Sequence, residues 1–255
     1  MEPLKRRLVE DRVIIGSWIT LAHPSIAEIM ARAGFDWLAV DLEHSVITIR
    51  EAEELIRVIE LCGVTPLVRL TSNNPDQIKR VMDSGAHGVI VPMVNTRQEA
   101  EQAVEAVKYP PAGKRGVGLA RAQGYGARFD KYTAWVERES IVIVQIEHIK
   151  AVKNLDDILS AEGVDGFIVG PYDLSGSLGV PGQFEHPAMV EVLQEIQLVA
   201  DRRKAVAGYH VVPPRPDLVI QKIQEGYRFI AYSLDMLFLG EMCRRGLQEI
   251  KNHIR

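Results

Sequence analysis

Cysteine is almost absent: the 255 residues contain two, Cys62 and Cys243. Neither a disulfide framework nor a C-x-x-C metal knuckle can be built from them, so both are expected as free thiols of a reducing cytoplasm. No apolar run approaches the ~18 residues of a membrane span. Met1-Glu2-Pro3-Leu4-Lys5 is not followed by the apolar core of a secretory signal. Positive charge is not in excess either. The formal net charge of −4 leaves no basic face for nucleic acid. No G-x-G-x-x-G or Walker turn follows the first apolar run, which argues against an open nucleotide-binding sheet. Repeats, low-complexity tracts and linkers are missing, and a single domain over residues 1–255 is expected.

What is present is an ordinary globular composition, 47% hydrophobic and 25% charged, with a strong rhythm. Short β-branched apolar runs recur at Val13–Ile19, Trp37–Val40, Thr65–Leu70, Gly88–Val94, Ile141–Ile146, Gly166–Val169, Ala205–Tyr209 and Phe229–Ala231. They lack alternation, as parallel strands covered on both faces do. Between them lie helical patterns. Ile49, Ala52, Leu55, Ile56 and Ile59 fall on one face of Thr48–Leu61, and Thr48 with Glu51 forms a capping-box signature. Pro24–Ala33, Pro75–Met82, Thr96–Lys108 and Pro187–Arg203 read the same way. Proline stands at helix starts, and Gly34, Gly63, Gly85 and Gly163 stand at helix ends. Strand and helix thus alternate about every 30 residues, which predicts an α/β fold, the (β/α)8 TIM barrel. The Pro/Gly-rich stretch from Tyr109 to Gly118 interrupts the rhythm and is long enough to be functional or to meet another subunit.

Barrel active sites lie at the C-terminal strand ends. Those ends carry Trp18, Asp41-Leu42-Glu43-His44, Arg69, Gln145-Ile146-Glu147-His148, Gly170-Pro171-Tyr172-Asp173, Tyr209-His210 and Ser233. Taken singly, Glu147 or Asp173 reads as a helix cap, His44 as a solvated turn residue and Arg69 as a structural ion pair. Gathered on one rim, they need a common reason, because buried charge is costly unless paired or metal-bound. Glu147 and Asp173 come from adjacent strands and suit a hard cation, Mg²⁺ or Mn²⁺, with open positions for the keto and carboxylate oxygens of a 2-oxo acid. Such an ion would stabilise a pyruvate enolate as a Lewis acid. Arg69 would pair with the substrate carboxylate, and His44 would relay the proton. His148, in a first helical turn, and His87, at the opposite barrel end, read as structural.

Four segments carry a closer likeness: G-F-D-W-L-A-V-D-L-E-H at 34–44, P-L-V-R-L with N-x-P-x-Q-I-K-R-V-M-D-S-G at 66–85, V-P-M-V with Y-P-P-A-G-K-R-G-V-G at 91–118, and V-Q-I-E with E-G-V-D-G-F-I-V-G-P-Y-D-L-S at 144–175. Through them the chain resembles the HpcH/HpaI family of class II pyruvate aldolases over nearly its whole length. The resemblance implies metal-dependent cleavage of a 4-hydroxy-2-oxo acid, sugar-acid or dicarboxylate derived, to pyruvate and an aldehyde. It implies a divalent metal, Mg²⁺ or Mn²⁺ with Co²⁺ or Zn²⁺ as further options, held by Glu147 and Asp173. It places the proton-transfer histidine on His44, acidic partners on Asp83 and Asp41, and the pyruvate clamp on Arg69 beside Gln145. It also implies a homohexamer, a trimer of dimers with exchanged C-terminal helices, whose Arg115–Arg121 loop approaches a neighbour's site. Trp18 is expected to line the substrate pocket. Tyr172 stands where a small residue is frequent and His210 where an aliphatic one is usual, and both are expected to do so too.

Two other enzymatic readings compete. A Schiff-base aldolase needs a lysine at a strand end, and none is there; Lys204 is expected at the start of the seventh strand, on the wrong face. A lyase acting on malyl- or citramalyl-type CoA thioesters would use a similar barrel and metal site and is the alternative. A scaffold without catalysis would have lost its metal carboxylates, and both are present.

Overall fold

The computed structural model describes residues 2–10 and 12–254. Eight parallel strands close a barrel in chain order: β1 (Ile14–Ile19), β2 (Trp37–Asp41), β3 (Thr65–Arg69), β4 (Gly88–Val91), β5 (Ile141–Ile146), β6 (Gly166–Val169), β7 (Ala207–Val211) and β8 (Phe229–Leu234). The pairing of β8 with β1 completes it. In chain order the helices are α1 (Leu4–Val9), α2 (Pro24–Arg32), α3 (Ile49–Leu61), α4 (Pro75–Asp83), α5 (Arg97–Val107), α6 (Phe129–Glu139), α7 (Ile149–Lys153), α8 (Leu155–Ile158), α9 (Pro171–Ser177), α10 (Pro187–Arg203), α11 (Pro216–Gln224) and α12 (Asp235–His253).

The expected helix boundaries rest on local chemistry, and that chemistry is present. Thr48 and Thr96 each close a full capping box, with Glu51 and Glu99. Pro24, Pro75 and Pro187 occupy the first helical turn. Strand limits move more. β4 stops at Val91 rather than Val94, because the chain turns at Met93 with φ 53°. β7 begins at Ala207 and runs through His210, and Lys204 is the left-handed C-cap of α10 rather than a strand residue. β8 continues to Leu234.

Two apolar layers hold the barrel. The outer one lies between strands and helices. The inner one contains Ile14, Trp18, Trp37, Ala39, Leu67, Ile90, Ile143, Ile168 and Phe229, and Leu4 and Leu8 of α1 complete it. Leu4 and Leu8 are one helical turn apart and share a face. Trp37 stacks on Phe229 with ring centroids 4.5 Å apart. Gly16 leaves the room: a Cβ there would lie 2.0 Å from the Trp37 ring. Among the described residues, no helix is long and apolar enough to cross a membrane.

Candidate active site

The strand ends bring together most of the expected residues. Trp18, Asp41, His44, Arg69, Gln145, Tyr172, Asp173 and His210 line one cavity of about 260 Å³ at the C-terminal rim. Trp18 forms its floor, 1% exposed. The Arg69 guanidinium lies 4.3 Å over its ring, an arrangement that suits a delocalised cation.

Arg69 is also gripped by Asp41. Nε donates to Oδ1 at 2.9 Å and Nη2 to Oδ2 at 2.6 Å. Asp41 holds Arg69 by its Nε–Nη2 edge, and the remaining Nη protons are left for a ligand. The Arg69 contacts hold the Asp41 carboxyl below its usual range against the opposing effect of burial. Asp41 also accepts the Glu43 amide at 3.0 Å and the His44 amide at 3.3 Å, which shapes the turn that presents His44. The His44 ring is exposed at the cavity mouth.

Glu147 is buried, and both of its oxygens are engaged. Oε1 accepts the Met93 amide at 2.6 Å, and Oε2 accepts from Gln145 Nε2. Burial pushes its carboxyl up, and the charge of Asp173 adds to the push. Asp173 stands on the first turn of α9, exposed, between buried Pro171 and Leu174. Glu43 completes the acidic group. Burial pushes it up to about 7, partly offset by Arg69 and reinforced by Glu147, Asp41 and Asp173. Carboxylates crowded at this cost are eased by a cation among them. The oxygen-only donors Glu147 and Asp173 fit a hard divalent ion with several open positions, although no cluster of three or more His, Cys, Asp or Glu ligands occurs among the described residues.

Sequence reasoning missed two contributors. Glu43 was in view within D-L-E-H, but its burial depends on the barrel. The Met93 amide could not be seen at all, since it acts through backbone geometry. One expected residue is elsewhere: Asp83 ends α4, at the rim opposite His44, and pairs with Arg115. The structure does not bring Asp83 to His44 within one chain. His148 caps α7 by accepting the Lys150 amide at 3.1 Å, and His87 packs on Trp135, both structural as expected.

A closed (β/α)8 barrel with charged side chains gathered at the C-terminal strand ends has the layout of a barrel enzyme. The chain belongs to the HpcH/HpaI aldolase/citrate lyase family, whose model matches residues 14–239, and it is a carbon–carbon lyase. It is 36% identical over 242 residues to a hydroxypyruvate/pyruvate aldolase of Roseobacter denitrificans, covering 94% of this chain and 93% of that one. It is 36% identical over 253 residues to a 2-keto-3-deoxy-L-rhamnonate aldolase of Escherichia coli, covering 98% and 93%. Among solved structures, an HpcH/HpaI aldolase/citrate lyase family protein of Burkholderia cenocepacia superposes with a TM-score of 0.92 at 32% identity, covering 97% and 98%.

Proposed function

We propose that this protein catalyses reversible, metal-dependent aldol cleavage of a 4-hydroxy-2-oxo acid to pyruvate and an aldehyde. The observation that carries this reading is the acidic group at the C-terminal rim, where burial and the charge of Asp173 push the Glu147 carboxyl up, beside the cavity that Trp18, Asp41, Arg69 and Asp173 line. Glu147 and Asp173 would hold Mg²⁺ or Mn²⁺, and the ion, when bound, supplies the Lewis acidity that stabilises the enolate. Gln145 and the Met93 amide orient Glu147. Arg69, steadied by Asp41, uses its free Nη protons for the 2-oxo acid. In cleavage the C4 hydroxyl gives up its proton, the C3–C4 bond breaks as the aldehyde carbonyl forms at C4, and the enolate takes a proton at C3; His44 carries the proton from that hydroxyl to C3. Tyr172, at the mouth, and His210, deeper in the cavity, line the substrate's path.

Assembly belongs to the same proposal. Asp83 cannot reach His44 in its own chain, so a role beside that imidazole requires the Asp83 of another copy. The Arg115–Arg121 loop displays Val117 and Leu119 to solvent, and α12 displays Met236, Leu239, Met242, Leu247 and Ile250. A homohexamer with exchanged C-terminal helices would cover these surfaces. A cytoplasmic location agrees with the free thiols Cys62 and Cys243.

The test is a panel of aldehydes incubated with pyruvate and Mg²⁺ or Mn²⁺, read by product formation. Adducts should form, disappear with a chelator and return with the ion. Full activity in strong chelator, or cleavage of a malyl or citramalyl thioester in place of aldol activity, would overturn the reading.

A further inference from the structure

Glu147 Oε1 is held by a backbone amide, that of Met93 at 2.6 Å, and such a donor is only as fixed as its turn. This turn needs holding. Met93 follows the end of β4 with φ 53°, a left-handed conformation that costs a long side chain free energy unless the surroundings impose it. Side-chain packing is a weak constraint here, since Met93 is 48% exposed. The constraint comes through the backbone instead. The Met93 carbonyl accepts from Asn95 Nδ2 at 2.8 Å. A carbonyl only accepts, so Asn95 must turn its amide nitrogen toward it. Its Oδ1 is left buried without a partner. An unmatched buried oxygen calls for a reason, and the contact with Met93 supplies one.

Asn95 is itself tied on both flanks. Its amide donates to Glu99 Oε2 at 2.6 Å, the same oxygen that accepts the Thr96 amide at 3.0 Å in the capping box of α5. Its carbonyl accepts from Asn154 Nδ2 at 2.8 Å. Asn154 stands between α7 and α8, which follow β5, and Glu147 lies just past the end of that strand. The turn is thus fastened to the helix that leaves β4 and to the helices that leave β5. Its one polar contact toward the rim is the amide given to Glu147.

We infer that Asn95 is a positioning residue of the metal site: by donating to the Met93 carbonyl it fixes the left-handed turn that aims the Met93 amide at Glu147, and so sets how tightly the site takes Mg²⁺ or Mn²⁺. The inference rests on the reading of Glu147 as a metal ligand. Asn95 touches neither ion nor substrate in this role. If it served only the start of α5, its loss would lower stability and leave metal binding alone.

The experiment measures Mn²⁺ binding to the full chain by electron paramagnetic resonance of the free ion, with the melting temperature of each metal-free protein recorded alongside. Wild type should bind, and Glu147→Gln should not. Asn95→Ala should bind about 10–100-fold more weakly than wild type, the usual consequence of losing the support behind a metal ligand. The same substitution should weaken binding much less in a Met93→Gly chain, because glycine takes a left-handed φ without a holding contact. Wild-type affinity in Asn95→Ala, whatever its melting temperature, overturns the inference, and so do equal losses in the two backgrounds. Should Asn95→Ala fold poorly, Asn95→Leu, close to asparagine in size and without the donor, decides by the same measure. Wild type that binds no Mn²⁺ overturns the metal reading and the inference with it; binding that is lost in Glu147→Gln and unchanged in Asn95→Ala overturns the inference alone.

Discussion

The charged residues of the rim divide into those that hold and those that act. In the proposed reaction Asp41 positions its neighbours, since its carboxylate accepts from Arg69 and from the turn that presents His44. In the same proposal His44, exposed and 3.8 Å from a Glu43 carboxylate oxygen, carries the proton. His44→Ala should slow aldol cleavage by about 10²–10⁴-fold, the usual worth of general acid–base catalysis, while substrate affinity changes far less. NMR of pyruvate in deuterated water, with metal and without aldehyde, isolates the step; methyl exchange at the wild-type rate in the variant would remove His44 from it. Glu43 gives a pH signature. It stays protonated up to about 7 in the folded, metal-free protein, against 4.5 ordinarily. Between those limits the folded state binds more protons than the unfolded chain, so stability falls as pH rises through the window. The loss should be on the order of 1–3 kcal/mol. Glu43→Gln should flatten it, and Mg²⁺ or Mn²⁺ should stabilise wild type more at the upper limit than at the lower. Parallel melting curves for wild type and variant would contradict this account.

At the scale of elements, the close approach of β5 and β6 shapes the surroundings of Glu147, the proposed metal ligand. Gly170, the N-cap of α9 just after β6, has an ordinary φ of −94°, yet a Cβ there would lie 3.0 Å from Glu147 Oε2 and 3.3 Å from Gln145 Nε2. Gly170→Ala should therefore displace the Glu147–Gln145 pair without straining the backbone. Activity should fall about 10–100-fold, as when support of a metal ligand is lost, with a rise in the metal concentration required. Melting temperature should change little. Gly16→Ala is the contrast, because its Cβ would collide with the Trp37 ring and backbone. A Gly170→Ala protein with normal metal titration would show that the pair tolerates displacement. Met93 and Ser233 hold positive φ at this rim, and Met93 delivers its amide to Glu147.

For the whole molecule, the open question of physical interest is what covers α12. Asp235 anchors its first turn to β1 through the Thr20 and Leu21 amides, at 2.8 Å each. Beyond that anchor Met236, Leu239, Met242, Leu247 and Ile250 face solvent in the single chain, whereas Phe238 packs on Phe35 and Tyr232. Exposed apolar residues in such number on one helix mark an association surface. Light scattering should give a mass near six chains. Leu239→Glu with Met242→Glu should yield smaller species and, if another copy's Asp83 serves His44, a loss of activity in parallel. A monomeric wild type would overturn the proposed assembly.

The barrel was legible in the sequence because each helix start and stop is a local event: Thr48 caps its own helix, and Pro75 begins one, whatever lies around them. The apolar runs likewise declared strands buried on both faces. Assignment of Glu147, Asp173, Arg69 and His44 to one rim followed from strand polarity alone. What tertiary structure decided is which groups answer one another. Asp41 takes the Arg69 fork because β2 and β3 pair them directly. Met93 serves Glu147 because β4 ends early. Asp83 faces the opposite rim because a helix returning from a strand end must finish at the barrel's other side. His210 is an isolated residue in the sequence and a buried ring against Trp18 in the fold, its imidazole pushed down by that burial, since the strands around it meet only when the barrel closes.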